Sequence, residues 1–376
     1  MGRIVTSSPM QHGSLDTNRI MLLVVAACLP GVLIGTWFFG YGILINISLA
    51  VIAALVLEAC LVKIRGREPR LYLADNSALV TAVLFGIAIP PGSQWSLLLM
   101  GIAFAIVIGK HAFGGLGQNA FNPAMCGYLF LLLTFPLEMT SWHIPNDAIV
   151  AGSSFSPIAW QGFLQALLLT FPFLTSDPSG IQATVDGLAM ATPLIEFKMA
   201  GPNALRAAQE NGLSLFARSS QTGWELVNFG YLLGGLFLLF KRIINWHIPV
   251  SILATIVVLS ILFYAPGSTS IYGTTYLHLF GSATMIGAFF IATDPVSAAT
   301  TNKGRLVYGI IIGASIYAIR VWGSYLDSIA IAVLFGNFCA PLLDHFCRPR
   351  LYGENRPLPT TENLPRAAAE NNEPGS

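Results

Sequence analysis

The sequence predicts an all-α polytopic membrane protein of about ten transmembrane helices, arranged as two related halves. Of its 376 residues, 54% are hydrophobic and only 10% are charged, whereas soluble domains have about 45–50% apolar and about 25% charged residues. Apolar runs close to the roughly 20 residues that a helix needs to cross a bilayer recur along almost the whole chain. A net charge of +1 gives no sign of a nucleic-acid-binding surface, so we expect no nucleic-acid partner.

Ten apolar runs are the predicted spans, in chain order. They are Ile20–Phe38, Tyr41–Val62, Ser77–Pro90, Trp95–Ile108, Pro123–Leu137, Leu226–Ile244, Pro249–Tyr264, Leu277–Thr293, Leu306–Val321 and Ile329–Phe346. The third, fourth and fifth are short and rich in Gly and Pro. Broken helices are tolerated at membrane depth only where protein or a water-filled cavity covers the freed backbone groups. We therefore expect these three spans in the interior of the bundle.

The basic residues predict the orientation. If the N-terminus lies in the cytoplasm, 15 of the 19 Lys and Arg residues lie on that side, and only Lys198, Arg206, Arg218 and Arg320 lie outside. The opposite orientation would reverse these numbers, so the positive-inside rule favours cytoplasmic N- and C-termini. No small-residue cleavage site follows the polar residues 1–18, so we expect the first helix to be retained.

An internal repeat divides the chain into segments. A shift of 204 residues aligns residues 78–91 with residues 282–295 and brings Pro91 onto Pro295. The predicted segments are a cytoplasmic N-terminal segment (1–19), a first five-helix half (20–137), an exterior segment (138–225), a second five-helix half (226–347) and a disordered cytoplasmic tail (348–376). Repeat architectures of this kind place their buried sites between the repeats.

The five cysteines give no disulfide framework. Cys28, Cys60, Cys126, Cys339 and Cys347 lie in or beside predicted spans, and no CxxC pair offers a metal or iron–sulfur site within this chain. One alternative stays open, in which a single cysteine contributes to a cluster shared with another chain.

The exterior segment contains the sequence DGLAMATPL at residues 186–194. Thr192 supplies a hydroxyl and Asp186 an acceptor, while Pro193 fixes its own φ and favours an extended backbone at Thr192. This combination presents a side chain outward. Taken alone, the stretch also fits a solvent-facing turn, or a helix N-cap at Thr192 with Pro193 at the first helical position.

Four motifs occur in one order along the chain. They are DNSALVTAVLFGIAIPP (75–91), FGGLGQNAFNPAMCGYLFLLLTFP (113–136), DGLAMATPL (186–194) and FIATDPVSAATT (290–301). Together they resemble the D subunit of the Rnf ion-translocating oxidoreductase complex and its relative, the B subunit of the sodium-pumping NADH:quinone reductase. The resemblance extends over nearly the whole chain, and four motifs in order are far more specific than any one of them.

The resemblance implies a covalent flavin. In this family an exterior flavin transferase attaches FMN through a phosphoester to the threonine that Thr192 matches, and Asp186 and Ala191 match the sequence that this enzyme recognises. The chain departs from the family pattern at Ala189, where Ser or Thr is usual, and at Met190, where Gly is usual. The acceptor hydroxyl is retained.

The resemblance also implies a role in a complex. Such a protein lies in the bacterial cytoplasmic (inner) membrane among lipids and other integral and peripheral subunits. It carries electrons through its FMN while the complex exchanges them between NADH and ferredoxin and moves Na⁺ or H⁺. We expect one component of a translocase, without complete activity alone.

The glycine-rich stretch GGLGQN (114–119) suggests a second site. Its glycines allow a close approach of backbone to a ligand, but no strand precedes them and the spacing is not a dinucleotide fingerprint. One interpretation is a plain helix-connecting loop. The other is a wall of a non-covalent riboflavin site formed by Gly114, Gly115 and Asn119, since the family is associated with riboflavin as well as FMN.

Two alternative functions remain at this stage. A B-type subunit of a sodium-pumping quinone reductase would share the motifs, although it usually has a longer N-terminal extension. A redox-inactive channel or secondary transporter would fit the hydropathy and the repeat equally well. Charged residues near helix ends, such as Glu58 and Lys110, are expected to be topology anchors, while Asp75 and Asp294 are the better candidates for a cation path.

Overall fold

A computed structural model describes residues 16–115, 117–143, 163–175, 189–190, 218–263, 275–323 and 327–347. Within these ranges the chain is almost entirely helical. The predicted disordered tail (348–376) and most of the exterior segment, including Asp186, Ala191 and Thr192, lie outside the described residues.

The described part of the first half contains seven helices. They are α1 (Thr17–Phe39), α2 (Gly42–Ile64), α3 (Pro69–Leu73), α4 (Ser77–Ala88), α5 (Trp95–Phe104, which continues as a π-helix over Ala105–His111), α6 (Pro123–Thr134) and α7 (Pro136–Thr140). α1 and α2 are long and apolar enough to cross a membrane, and α4, α5 and α6 are shorter apolar helices. The third, fourth and fifth predicted spans are thus short, as the sequence predicts.

The connecting segment and the second half follow. They contain β1 (Trp142–His143), α8 (Phe163–Thr170), β2 (Ala189–Met190), α9 (Arg218–Phe240), α10 (His247–Leu262), α11 (Thr275–Phe280), α12 (Thr284–Ile286, which continues as a π-helix over Gly287–Ile291), α13 (Asn302–Val321) and α14 (Ile329–Phe346). Three further helices, within α9, α13 and α14, are long and apolar enough to span a bilayer. The all-α polytopic fold class is thereby confirmed.

The two halves repeat one order of elements. α1, α2, α4, α5 and α6 correspond to α9, α10, α12, α13 and α14, and the starts of corresponding helices lie close to the 204-residue offset. If each repeat crosses the membrane five times, as the sequence predicts, the odd number makes the second repeat enter from the opposite side, and the halves are inverted repeats. α1 packs along α9 where the halves meet.

The eighth span is broken, so the continuous helix predicted over Leu277–Thr293 is wrong. α11 ends at Phe280, and α12 begins at Thr284. The buried Asn228 bridges the break: its Nδ2 donates to the Phe280 carbonyl at 3.0 Å, and its Oδ1 accepts from the Met285 N–H at 3.3 Å. A break at this depth is stable because a side chain supplies the partners that the helix has lost.

Two other buried asparagines serve helix ends in the same way. Asn46 Nδ2 donates to the carbonyls of Ile89 and Pro90 at 3.4 and 3.0 Å, where α4 ends. Asn122 caps α6 by accepting from the Met125 N–H at 3.3 Å, and its Nδ2 donates to the Ile291 carbonyl at 3.3 Å, where the π-helix ends. Side-chain amides thus replace the missing backbone bonds.

Glycines allow the two repeats to approach closely. A Cβ on Gly31 would lie 2.3 Å from Cε1 of Tyr231, and a Cβ on Gly234 would lie 1.9 Å from the Ala27 carbonyl oxygen. Both distances are shorter than any side chain tolerates. The α1–α9 contact therefore requires small residues, as expected for helix pairs in membranes.

Candidate functional site

Two cavities lie at opposite ends of the interface between the repeats. One opens near the end of α2 that carries exposed Lys63 and Arg65, and we call this end the basic face. The other lies at the end where β1 and β2 pair, which we call the sheet face. α1 runs between them: Val24 lines the basic-face cavity and Gly35 lines the sheet-face cavity.

The basic-face cavity has a volume of about 280 Å³, near the lower end of the roughly 300–1,000 Å³ typical of small-molecule sites. Both repeats line it with polar groups set among apolar side chains. The polar residues are Thr17, Ser77, Thr81, Lys110, Asn119, Asn122, Thr293 and Asp294. An apolar cavity with a few convergent polar groups is the usual form of a site for a ring-shaped organic ligand.

The predicted second-flavin residues divide between two places. Asn119 is 5% exposed and lines the basic-face cavity, where its Oδ1 has no hydrogen-bond partner. Gly114 lines a neighbouring surface groove beside Arg65 and Arg67, and Gly115 lines neither. A buried acceptor without a partner is costly, so Asn119 is the residue of the three that fits a ligand-binding role.

A buried ionic cluster lies beside this cavity. Lys110 Nζ donates to Glu58 Oε1 at 2.7 Å and to Ser77 Oγ at 2.8 Å, and His111 Nε2 lies 3.0 Å from Glu58 Oε2. Glu58, Lys110 and His111 are 1%, 2% and 3% exposed. These residues pair, which is one of the two forms expected for charges near helix ends, but the pair is buried inside the protein, with Lys110 on the π-helix.

The predicted cation-path residues have ordinary local partners. Asp75 Oδ1 accepts from the N–H and the hydroxyl of Ser77 at 2.8 and 2.6 Å at the start of α4. Asp294 Oδ2 accepts from Ser297 Oγ at 2.7 Å. Desolvation raises the pKa of the Asp294 carboxyl above its ordinary value, although hydrogen bonds from Ser297 and Val296 act in the opposite direction. No group of three or more potential metal ligands occurs among the described residues.

The sheet-face cavity is narrow and aromatic. It has a volume of about 90 Å³, and Tyr128, Trp142, Trp224 and Tyr231 are among its lining residues. At its mouth the rings of Trp142 and Trp224 have centroids 4.8 Å apart, and both pack on Phe39 at 5.8 and 4.9 Å. These distances are in the range of favourable aromatic contacts.

Two charged residues lie near this cavity. Asp327 lines it and accepts a hydrogen bond from the Tyr128 hydroxyl at 2.5 Å. Arg320, which the predicted topology puts on the exterior side, is 5% exposed and donates to the His278 carbonyl at 2.6 Å and to the hydroxyls of Thr284 and Ser328 at 3.0 Å each. Its guanidinium holds together the broken span and the start of α14.

The sheet connects this cavity to the segment that contains the DGLAMATPL motif. β1 and β2 pair antiparallel, with Trp142 opposite Met190 and His143 opposite Ala189. β2 ends two residues before Thr192.

Only a thin wall separates the two cavities. Phe290 lines the basic-face cavity, and the next residue, Ile291, lines the sheet-face cavity. In α6, Pro123 lines the basic-face cavity, and Met125, two residues later, lines the sheet-face cavity. The rings of Phe290 and Tyr231 meet edge to face across the wall, with centroids 6.1 Å apart.

Sequence reasoning missed most residues of the sheet-face cavity. Trp142, Trp224 and Asp327 come from three distant parts of the chain, and no local motif joins them. Asn46 and Asn228 were also missed, although a signal was present: an asparagine inside an apolar span is costly unless it has partners. Such residues point to broken helices and hence to the repeat interface.

Comparisons with known proteins agree with this architecture. Residues 4–353 match the family model described as the NQR2, RnfD, RnfE family. Proteins named as the D subunit of an ion-translocating oxidoreductase complex are 46% identical over 349 residues in Aliivibrio salmonicida (92% of this chain, 96% of the relative) and 47% identical over 345 residues in Aeromonas hydrophila (90% and 95%). The relative from Vibrio cholerae is 46% identical over 353 residues (92% and 97%). The chain belongs to the NQR2, RnfD, RnfE family.

Proposed function

We propose that this protein is an electron-carrying membrane component of an Rnf-type ion-translocating oxidoreductase, with FMN bound to Thr192 through a phosphoester. The complex would exchange electrons between NADH and ferredoxin and couple this to the movement of Na⁺ or H⁺. The relatives' names support this assignment, because each relative is named as one component of an ion-translocating oxidoreductase complex.

The pairing of Trp142 with Met190 is the observation that carries the flavin proposal. It holds the chain just before Thr192 beside the sheet-face cavity. A covalent tether of this kind keeps the isoalloxazine ring at high effective concentration near one place, so contacts need not supply all of the affinity. The protein then contributes placement and electronic tuning.

The sheet-face cavity is too small to enclose the ring, since about 90 Å³ is well below the roughly 300 Å³ at which ligand pockets begin. We expect the ring to stack instead at the mouth, on the aromatic cluster of Phe39, Trp142 and Trp224. Stacked or edge-on aromatic contacts contribute about 0.5–1.5 kcal/mol each beyond the area that they bury.

The covalent bond has a direct test. The purified protein is denatured, separated on a gel and viewed under ultraviolet light, and the peptide that contains Thr192 is weighed by mass spectrometry. We expect a fluorescent band that is absent in Thr192→Val and retained in Thr184→Val, a matched change in the same segment. A wild-type protein that expresses with its transferase and yet gives a dark band and an unmodified peptide would refute the proposal.

We propose a second, non-covalent flavin of the riboflavin type in the basic-face cavity. The unpartnered Oδ1 of Asn119 and the polar groups of Thr81 and Thr293 suit the polar edge of such a ring. The apolar wall residues, including Phe289 and Phe290, suit its flat faces. When bound, a flavin there would supply one-electron and two-electron redox chemistry.

The second flavin is tested by release rather than by activity. Acid denaturation of Thr192→Val protein frees only flavin that is not covalently bound, and fluorescence measures its amount. We expect close to one equivalent, and a large loss in Asn119→Leu. Gln118→Leu, a change at the exposed neighbour in the same loop, is the control. If Asn119→Leu released as much flavin as Gln118→Leu, the result would contradict a flavin site at Asn119.

The two sites together suggest a path across the membrane. With the basic face in the cytoplasm, as the positive-inside rule favours, one flavin lies near each side of the bilayer. The thin wall between the cavities keeps them close while it excludes water. A redox-inactive transporter would bind no flavin at either site. The gel experiment and the release experiment together therefore also decide between these functions.

A further inference from the structure

We propose that Lys110 supplies the positive charge that stabilises the reduced form of the ligand in the basic-face cavity, and that Glu58 is the residue that positions it. The inference rests on the proposed non-covalent flavin. It adds a specific role for a buried ion pair that the fold alone does not explain.

The geometry fixes the ammonium group at the cavity wall. Lys110 and Ser77 both line the cavity, and Lys110 Nζ donates to Ser77 Oγ at 2.8 Å. Glu58 does not line it, but its Oε1 accepts from Nζ at 2.7 Å from behind. A lysine side chain has four rotatable methylene groups, and these two contacts hold its charge in one place.

The second repeat lacks this carboxylate–ammonium pair at the matching positions. A shift of 204 residues places Leu262 at the position of Glu58 and Ala314 at the position of Lys110. A slightly different shift would also place uncharged residues there. α10 contains no Asp, Glu, Lys or Arg, and α13 contains none between Leu306 and Ile319. Yet α10 and α13 pack extensively against each other.

An ion pair at this depth carries a cost. Removing two charges from water costs several kcal/mol for each ion, and replacing a buried pair with well-packed apolar residues is often neutral or stabilising. The second repeat has Leu262 and Ala314 at these positions, and Leu262 is 70% exposed whereas Glu58 is 1% exposed. The buried pair is therefore a feature of the first repeat alone, and Lys110 lines a cavity where its charge can act on a ligand.

The chemistry follows from charge balance. A flavin bound there would supply one-electron chemistry, and a ring reduced without a proton would carry one more negative charge, with no bond broken in the protein. The Lys110 ammonium group at the cavity wall would favour the reduced form over the oxidised one. Charge near the ring nitrogens is one of the ways in which proteins tune flavins. Asp294, on the opposite wall, has the opposite effect.

The test is a redox titration of the non-covalent flavin in full-length protein that carries Thr192→Val, so that no covalent flavin absorbs. Dithionite is the reductant, mediator dyes equilibrate the flavin, and absorbance reports the reduced fraction. The variants are Lys110→Met and the double variant Glu58→Leu/Lys110→Met, which imitates the second repeat and leaves no unpaired buried carboxylate. Lys63→Met removes an exposed charge from the same face and is the control.

We expect the double variant to unfold thermally at about the wild-type temperature and to favour the oxidised flavin at least tenfold more, which corresponds to about 59 mV for a one-electron couple. Lys63→Met should change the ratio less than twofold. A folded double variant with an unchanged potential would show that the pair is only structural. A Thr192→Val protein that binds no flavin at all would instead overturn the proposed second flavin, on which this inference rests, so the two failures are distinguishable.

Discussion

Asn46 is the clearest single test of how the broken spans are held. It is 0% exposed in the middle of the bundle, and its Nδ2 donates to the Ile89 and Pro90 carbonyls, where α4 ends. Leucine has the same number of side-chain heavy atoms and the same branching but no donor, and aspartate has nearly the same shape but only acceptors when ionised. The two substitutions therefore separate loss of a donor from addition of a buried charge.

The magnitude follows from the partners that remain. In Asn46→Leu the Pro90 carbonyl still accepts from the Ser93 N–H at 3.1 Å, so only the Ile89 carbonyl loses its donor. The substitution also removes Asn46 Oδ1, which has no partner of its own. With about 1–3 kcal/mol for each unsatisfied buried group, the net loss is about 1–2 kcal/mol. Asn46→Asp directs a carboxylate at two carbonyls, and it should cost about 3–5 kcal/mol, as other unpaired buried charges do.

The assay is thermal unfolding in detergent, followed with a thiol-reactive dye that labels Cys28 once it is uncovered, since this cysteine is 1% exposed. Ser48→Ala is the control, because the exposed Ser48 hydroxyl bonds only to the Leu44 carbonyl of its own helix. We expect the unfolding temperature to be highest for the wild type and Ser48→Ala, lower for Asn46→Leu and lowest for Asn46→Asp. If the aspartate variant proves as stable as the leucine variant, the side chain does not face carbonyls, and the reasoning on broken spans fails.

Three further outcomes are expected. Gly31→Ala should lower stability by about 1–3 kcal/mol because its methyl group overlaps the ring of Tyr231. At Gly35 the nearest atom lies 3.1 Å from an added Cβ, so Gly35→Ala should cost less than about 1 kcal/mol. The dye assay measures both changes. Arg320→Met removes three hydrogen bonds at once, so it should lower the unfolding temperature. It should also destabilise α11 and give faster backbone hydrogen exchange in residues 275–280. An unchanged exchange rate there would contradict this role for Arg320. A fluorescent protein fused to the C-terminus should be bright, and an alkaline phosphatase fused there inactive, if the basic face is cytoplasmic.

The sequence was sufficient for the all-α polytopic fold class because this depends on apolar runs, which are local signals. It failed at the eighth span, where Gly281 and its neighbours are apolar enough to continue a helix, and only the tertiary contact with Asn228 shows that the chain turns. The aromatic cavity was not predictable for the same reason: Trp142 and Trp224 become neighbours only when the repeats meet. Lys110 looked like an end-of-helix anchor because its π-helical turn has no signature in the sequence.

Inverted repeats explain why there are two cavities and why they differ. A two-fold relation in the membrane plane gives every opening near one side an equivalent near the other, and the 204-residue shift pairs lining residues of the two cavities, including Val24 with Asn228 and Pro123 with Asp327. The two-fold relation cannot by itself supply different chemistry at the two ends, because identical residues at equivalent positions would bind the same ligand equally well. The differences between the two ends supply it: a fixed ammonium group, Lys110, at one end, and an aromatic cluster beside the segment with the DGLAMATPL motif at the other. If the two proposed flavins bind at these places, such differences would give them different affinities for electrons, as directional transfer between them requires.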